Sequence, residues 1–348
     1  MQVPAVQRGG HRIMSALLEV NHLKKYYPLK KENHRKGGSF VRAVDDVSFS
    51  VASCETLGVV GESGCGKSTT GRSVLRLIEP TDGEILFEGT DVRGLTNEQM
   101  RKFRKQMQIV FQDPMSTLDP RWTIDKVLAE PLKIHTGMNQ KEISDRIVQL
   151  LEVVGLSPFH AHKYPHEFSG GQRQRIGIAK ALALNPKFIV CDEPVSALDV
   201  SIQSQALNLM RDLQEQFSLT YLFISHDLSV VKYVSDRIAV MYLGRIVEMA
   251  AADDLFTRRL HPYTQALFAA IPIPDPHRVR KRHALSGDVP NPADPPSGCT
   301  FHERCPHRMP VCSEQAPAFQ EVAPHYFVAC HLYGAGGEPP VAPPASMP

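Results

Sequence analysis

From about residue 17 to residue 249, short β-rich apolar runs alternate with helix-period segments, the rhythm of an α/β domain around a largely parallel sheet. Continuous apolar runs at 56–60, 188–191 and 221–225 predict buried strands. Runs at 238–243 and 245–249, split by Gly244, predict a hairpin or meander. Between Asp113 and Asn185 the period turns helical. Ile143, Ile147, Leu150, Leu151 and Val154 fall on one face of an amphipathic helix whose outer side is polar. After Ala250 the pattern fades. Pro272, Pro274, Pro276, Pro290, Pro292, Pro295 and Pro296 predict an extended linker into a small C-terminal module, and the Pro, Gly and Ala of residues 336–348 predict disorder. No internal repeat is visible.

Length and charge narrow the reading. A chain of 348 residues suits about two domains at roughly 150 residues each. The formal charge is +2, from 39 basic and 37 acidic residues, so no global field draws the chain to nucleic acid or lipid. No apolar run approaches the ~18 residues of a membrane span. Residues 1–15 lack the apolar core of a signal peptide and read as a loose extension, with Met14 an alternative start. The expectation is a cytosolic chain whose membrane role comes through partners. The stretch 24–36, with six Lys or Arg, interrupts the first strands and reads as a solvated loop in preference to a lipid contact.

The strongest local chemistry is Gly61-Glu62-Ser63-Gly64-Cys65-Gly66-Lys67-Ser68-Thr69, between the strand 56–60 and a helix predicted to run through Ile78. That is GxxxxGK[ST] in the strand–loop–helix context it requires. Its glycines let backbone N–H groups turn inward around a β-phosphate, where the helix N-terminus adds its dipole. Lys67 carries charge to the β- and γ-phosphates, and the Ser68 hydroxyl is a magnesium ligand. A glycine turn that matched by chance would arise at roughly one in a hundred for this composition. Alone, the loop says only NTPase.

Two further segments extend the site. The buried strand 188–191 runs into Asp192 and Glu193, adjacent carboxylates suited to a split role. Asp192 would hold magnesium, through water, and Glu193 would orient and deprotonate an attacking water. The plainer reading is an acidic pair complementing a helix dipole. Ser169-Gly170-Gly171-Gln172 precedes a helix expected from about Arg173 to Leu184, with Ser169 as N-cap and glycines exposing N–H groups. This is either a second anion site or simply a capped helix.

Phe168-Ser169-Gly170-Gly171-Gln172 resembles the signature motif of ABC ATPases, with Phe where many members have Leu. The rest of that family's pattern follows in order: Gln112 resembles the Q-loop glutamine, Ser196-Ala197-Leu198-Asp199 the D-loop, and His226 the switch histidine. The resemblance spans about 17–249. It implies a P-loop NTPase fold of the ABC type, with a RecA-like parallel-sheet core, an antiparallel β-subdomain and a helical subdomain near 113–185. The cassette would occupy 17–257, after an extension 1–16. It implies ATP and Mg2+ as cofactors, with Ser68, Gln112 and Asp192 at the magnesium, and Lys67, Gln112, Glu193 and His226 as the catalytic set. It further implies a head-to-tail dimer in which Ser169 acts in trans on the partner's γ-phosphate, and an aromatic residue, Tyr27 or Phe40, stacked on adenine.

Leu118-Asp119-Pro120-Arg121, Tyr164-Pro165-His166-Glu167-Phe168 and His261-Pro262-Tyr263-Thr264 look like the dipeptide and oligopeptide import ATPases, a subfamily that includes nickel importers. The resemblance implies an ATPase subunit at the cytoplasmic face of the cell membrane, driving uptake of dipeptides or oligopeptides. Its partners would be a second, related ATPase chain, two transmembrane permease subunits and, indirectly, an external peptide-binding protein, with no nucleic acid. The alternatives are another small-solute cargo such as nickel, or a soluble ABC ATPase, although one cassette without sustained heptads argues against the latter.

Of seven cysteines, Cys54, Cys65 and Cys191 are scattered, whereas Cys299, Cys305, Cys312 and Cys330 cluster in the extension 258–335. In a reducing compartment such a cluster argues for a metal before disulfides. The spacing lacks the tight knuckle usual for structural zinc, and related import ATPases carry a [4Fe–4S] cluster here. The expectation is that cluster, with zinc or free thiols as alternatives, in a segment too poor in aliphatic residues to form a core. His302, His307 and His331 are expected to be exposed.

Overall fold

The computed structural model describes residues 16–29, 40–113, 117–270 and 287–333. The terminal extension 1–15, the second half of the basic loop, Pro272, Pro274, Pro276 and the tail 336–348 lie outside the described residues. No helix among the described residues is long and apolar enough to cross a membrane.

Two sheets carry the fold. The first is antiparallel: β2 (Phe40–Ala52), β1 (Ala16–Pro28), β4 (Asp82–Phe87) and β5 (Thr90–Asp91), in that spatial order. The second holds eight strands among the described residues. Its order is β11 (Gln320–Ala323), β12 (Tyr326–Val328), β10 (Arg245–Ala251), β9 (Arg237–Tyr242), β3 (Thr56–Val60), β8 (Thr220–Ile224), β7 (Phe188–Asp192) and β6 (Met107–Val110). From β9 through β6 every pairing is parallel, whereas β10, β12 and β11 pair antiparallel. β3, β7 and β8 are buried at every residue, which is why they read as unbroken apolar runs.

One core cluster joins the antiparallel sheet to the central strands, through Leu18, Val20, Phe87, Phe188 and Met241 among others. A second fills the space between the central sheet and the helices Ile124–His135, Gln140–Val153 and Gly170–Leu182. In the helix Gln140–Val153, Asn139 and Glu142 form a reciprocal capping box and Ile143, Ile147, Leu150 and Leu151 are buried, the face that the sequence predicts. Helix ends differ from expectation. The helix after the phosphate loop is Lys67–Val74, and Leu75 to Ile78 continue as turns because Leu77 and Ile78 both donate back to the Arg72 carbonyl. The signature helix begins at Gly170, where the Ser169 cap fixes its first turn, and ends at Leu182.

The C-terminal segment extends the central sheet. β12 pairs with β10 (Glu248 opposite Val328, Met249 opposite Phe327), and β11 pairs with β12. Glu248, wholly buried, accepts from the Leu260 N–H (2.6 Å), the His261 N–H (3.1 Å) and the Tyr326 hydroxyl (2.5 Å), which ties three segments together. Phe301, Tyr326 and Val328 are fully buried. The expectation of a segment unable to supply core is therefore corrected: Phe301 and Tyr326, with Val328, fill that role.

Candidate active site

The phosphate loop leaves β3 at Val60 and enters the helix at Lys67. A Cβ at Gly61 would sit 2.1 Å from the Met241 carbonyl oxygen. At Gly66, where φ is +105°, it would sit 2.1 Å from the Ala43 carbonyl oxygen. Both positions therefore require glycine. Lys67 is 4% exposed, and its Nζ donates to the carbonyls of Gly61 (2.8 Å) and Glu62 (2.9 Å), which centres a charge inside the loop. Ser63 and Gly64 form the exposed rim, while Ser68 and Thr69 are half-buried. Cys65 is buried, and burial pushes its thiol up, so it packs rather than reacts.

The C-terminal ends of the parallel strands bring in the remaining groups, the edge at which open α/β sheets bind ligands. Asp192 ends β7. It is 2% exposed, accepts from the Ser68 hydroxyl at 2.6 Å on Oδ1, and pairs with Arg72 Nη2 at 3.1 Å on Oδ2. A hydroxyl and a carboxylate so close suit a magnesium taken directly by Ser68, with Asp192 reaching a water in the ion's octahedral shell. Glu193 follows in the left-handed region at φ 49°. Its Oε2 accepts from Gln112 Nε2 at 3.1 Å and lies 3.2 Å from His226 Nδ1. Gln112 follows β6, Glu193 follows β7 and His226 follows β8, so three adjacent strands bring two side chains to the one carboxylate oxygen of Glu193.

Ser169 caps its helix through a capping box with Gln172, its hydroxyl accepting from the Gln172 N–H while Gln172 Oε1 accepts from the Ser169 N–H. Ser169 and Gly170 are exposed. A Cβ at Gly171 would meet Ile202 at 2.4 Å, so the signature helix starts hard against the helix Val200–Phe217. Asp199 caps that helix, and hydrogen bonds from the Ile202 N–H and the Ser201 hydroxyl hold its carboxyl below the usual range.

Tyr27 and Phe40, both exposed, lie on opposite faces of the β1–β2 ribbon: Tyr27 pairs with Val41 and Phe40 with Pro28. The Lys25 ammonium stands 4.8 Å from the Tyr27 ring centre. Phe40 lines a cavity of about 390 Å³ with Arg42, Arg245 and the segment from Pro292 to Thr300.

The four C-terminal cysteines are free thiols; Cys312 is buried and the others half-buried. Burial, with the neighbouring thiols in a lesser part, pushes Cys299 up to about 11 and Cys330 up to about 12. Among the described residues no group of three or more His, Cys, Asp or Glu side chains is arranged to hold a metal ion. Four thiolates around one tetrahedral zinc would stand about 3.8 Å apart, and among the described residues neither that arrangement nor the expected [4Fe–4S] cluster finds support. His302 corrects the expectation of exposure: it is 6% exposed, with Nδ1 2.8 Å from the Cys299 carbonyl oxygen. His331 is half-buried, with Nε2 2.8 Å from the Gln315 carbonyl oxygen, and His307 is exposed.

Three contacts at the site carry no local signal in the sequence. Arg72 pairs with Asp192, Tyr263 reaches the Glu62 N–H, and Arg304 pairs with the Glu62 carboxylate. The last two join positions 201 and 242 residues apart, beyond any motif.

Comparison with known proteins agrees with this geometry. Residues 44–196 match the family model described as ABC transporter, and residues 247–312 match that described as oligopeptide/dipeptide transporter, C-terminal region. The chain is 54% identical to the oligopeptide transport ATP-binding protein AppF of Bacillus subtilis over 91% of this chain and 97% of that one. It is 49% identical to the probable peptide ABC transporter ATP-binding protein y4tS of Sinorhizobium fredii over 95% of this chain and 94% of that one. Among solved structures, a dimeric post-hydrolysis state of the ATP-binding cassette MJ0796 bound to ADP and Pi aligns with TM-score 0.60 at 27% identity, covering 68% of this chain and 98% of that one.

Proposed function

We propose a full site assignment for this chain, which belongs to the ATP-binding proteins of ABC transporters in the oligopeptide and dipeptide importer family. It is the ATP-hydrolysing subunit of an importer. The observation that carries the assignment is the Glu193 carboxylate, shared by Gln112 and His226 beside the phosphate loop and the Ser68–Asp192 pair. Lys67 and the loop amides bind the phosphates, Ser68 and Asp192 hold magnesium with Gln112 nearby, and Glu193 activates the water that attacks the γ-phosphorus. His226 orients that water and the γ-phosphate. Tyr27 stacks on adenine, which leaves Phe40 to the cavity on the opposite face.

Ser169 and its helix N-terminus serve a γ-phosphate held by a second cassette, a reading supported by their exposure and by the dimeric form of the similar cassette. That second cassette is a related, non-identical ATPase chain. The permease subunits dock beside Gln112, where Gln108, Phe111, Thr117, Gln174 and Lys180 line a cavity of about 280 Å³, at the cytoplasmic face of the membrane. The cargo is a dipeptide or oligopeptide delivered by an external binding protein. Cys299, Cys305, Cys312 and Cys330, four free thiols within one short segment, are assigned as the ligands of a [4Fe–4S] cluster.

The test is purification of the native complex, anaerobically, followed by reconstitution with labelled peptides inside and outside vesicles. ATP-dependent peptide accumulation, two different ATPase chains and about four irons per cluster are the expected results. Complexes holding only this ATPase chain would remove the heteromeric assignment, iron-free protein would remove the cluster, and ATP turnover without peptide movement would remove the cargo.

A further inference from the structure

The phosphate loop is held from outside the nucleotide-binding motifs. The Tyr263 hydroxyl accepts the Glu62 backbone N–H at 2.9 Å, while the Glu62 carbonyl accepts from Lys67. Arg304 lies between Cys299 and Cys305 in the chain. Its Nη1 and Nη2 stand 3.0 and 3.2 Å from the two carboxylate oxygens of Glu62. The Arg304 side chain is 7% exposed and that of Glu62 26%, so the fork is largely withdrawn from water. Beneath it, Tyr242, Tyr263 and Phe301 pack with ring centres 4.6–5.4 Å apart, joining β9, the helix Pro262–Ala269 and the cysteine segment.

The chemistry of this contact points beyond tethering. The aromatic cluster already fastens the segment to the sheet, and a buried ion pair adds little net stability over an apolar contact. What the pair does supply is local. Glu62 brings a negative charge into a loop that receives a polyphosphate, and Arg304 cancels it with a planar, bidentate contact. The Glu62 peptide is meanwhile fixed at both ends, its N–H by Tyr263 and its C=O by Lys67, which sets the direction of the loop's first turn.

We propose that Arg304 and Tyr263 are positioning residues for ATP binding: they neutralise and orient Glu62, and through them the order of the four-cysteine segment sets nucleotide affinity. The inference deepens the function assigned above and rests on ATP binding at this loop. Loosening the segment around Cys299 and Cys305 withdraws Arg304 and leaves Glu62 facing the phosphates unpaired. Affinity then falls, while the water-activating group Glu193 is untouched.

The experiment measures ATP affinity of the full-length chain with a fluorescent ATP analogue, and KM and kcat of the assembled transporter. Arg304→Met should raise both Kd and KM about ten-fold, equivalent to ~1.4 kcal/mol, with kcat changed less than about two-fold. Adding Glu62→Gln to Arg304→Met should restore affinity to within about three-fold, because no uncompensated carboxylate then remains. Arg304→Lys, which keeps charge without the fork, should fall between. Tyr263→Phe removes one oxygen and should raise KM several-fold; it decides the matter if Arg304→Met does not fold. Kd and KM within two-fold of the unaltered chain in the folded variants would overturn the proposal, as would loss of kcat with KM unchanged. If the unaltered chain bound no ATP, the function itself would fall; equal binding by altered and unaltered chains overturns only the positioning role.

Discussion

Glu193→Gln separates the chemistry of the site from its scaffolding. Both neighbours, Gln112 Nε2 at 3.1 Å and His226 Nδ1 at 3.2 Å, meet the same oxygen, Oε2. A glutamine that directs its amide oxygen there keeps both contacts as neutral hydrogen bonds, a ground-state change of about 1 kcal/mol. Volume and the left-handed backbone at φ 49° are also retained. What is lost is the capacity to take a proton from water, worth ~10²–10⁴ in rate, or about 2.7–5.5 kcal/mol of barrier. The expected outcome is ATP affinity within a few-fold of normal, hydrolysis reduced by two to four decades, and accumulation of a nucleotide-bound dimer. Phosphate release from the assembled transporter gives the rate, a fluorescent ATP analogue the affinity, and size-exclusion chromatography with ATP the dimer. Hydrolysis near the normal rate would refute the role given to this carboxylate.

Glu248→Ala strips the acceptor from three donors, the Leu260 and His261 N–H groups and the Tyr326 hydroxyl, at ~1–3 kcal/mol for each, so roughly 3–9 kcal/mol of stability is expected to go. Thermal melting reads that loss, and Glu248→Gln should fall far less. Gly66→Ala forces a methyl against the Ala43 carbonyl from a left-handed backbone, at roughly 2–6 kcal/mol; isothermal calorimetry should find no ATP binding in protein whose far-UV circular dichroism is normal. In metal-free protein, Cys299 and Cys330 lie at about 11 and about 12 against an ordinary 9.0. Raised folded-state values mean that their contribution is whole below pH 9 and is lost as pH climbs from 9 toward 11–12. Cys330→Ser should therefore flatten the melting-temperature decline in that window, and an unchanged slope would contradict the assigned burial.

The parts of the site that follow directly from a strand were the most legible. Lys67, Asp192, Glu193 and His226 each come at or just beyond the end of a fully buried strand, and such strands print themselves as apolar runs bounded by polar residues. Helix ends were less legible because Leu75, Leu77 and Ile78 keep a helical composition while the Arg72 carbonyl captures the donors that would have continued the helix. Arg304 could not be found at all. A charged residue in a proline-rich segment looks solvated, and only the folding of β12 onto β10 carries it to the phosphate loop. His302 is buried for the same reason, next to the buried Phe301 and with its ring on the Cys299 carbonyl, and no local period announces it.

The pairing of β10 with β12 also bears on how the chain is made. β10 ends at Ala251 and β12 begins at Tyr326, so the ribosome must add about 75 residues, roughly 4–15 s of synthesis, before that edge finds its partner. Through that interval β10 offers an open row of amides and carbonyls, the kind of edge that recruits strands from other nascent chains. The phosphate loop emerges complete yet lacks the grip of Tyr263 and, for about 40 residues more, that of Arg304. The nucleotide loop therefore gains its last outside contact late in synthesis, and a chain that ends before residue 304 carries an unsealed sheet edge and an unpaired Glu62.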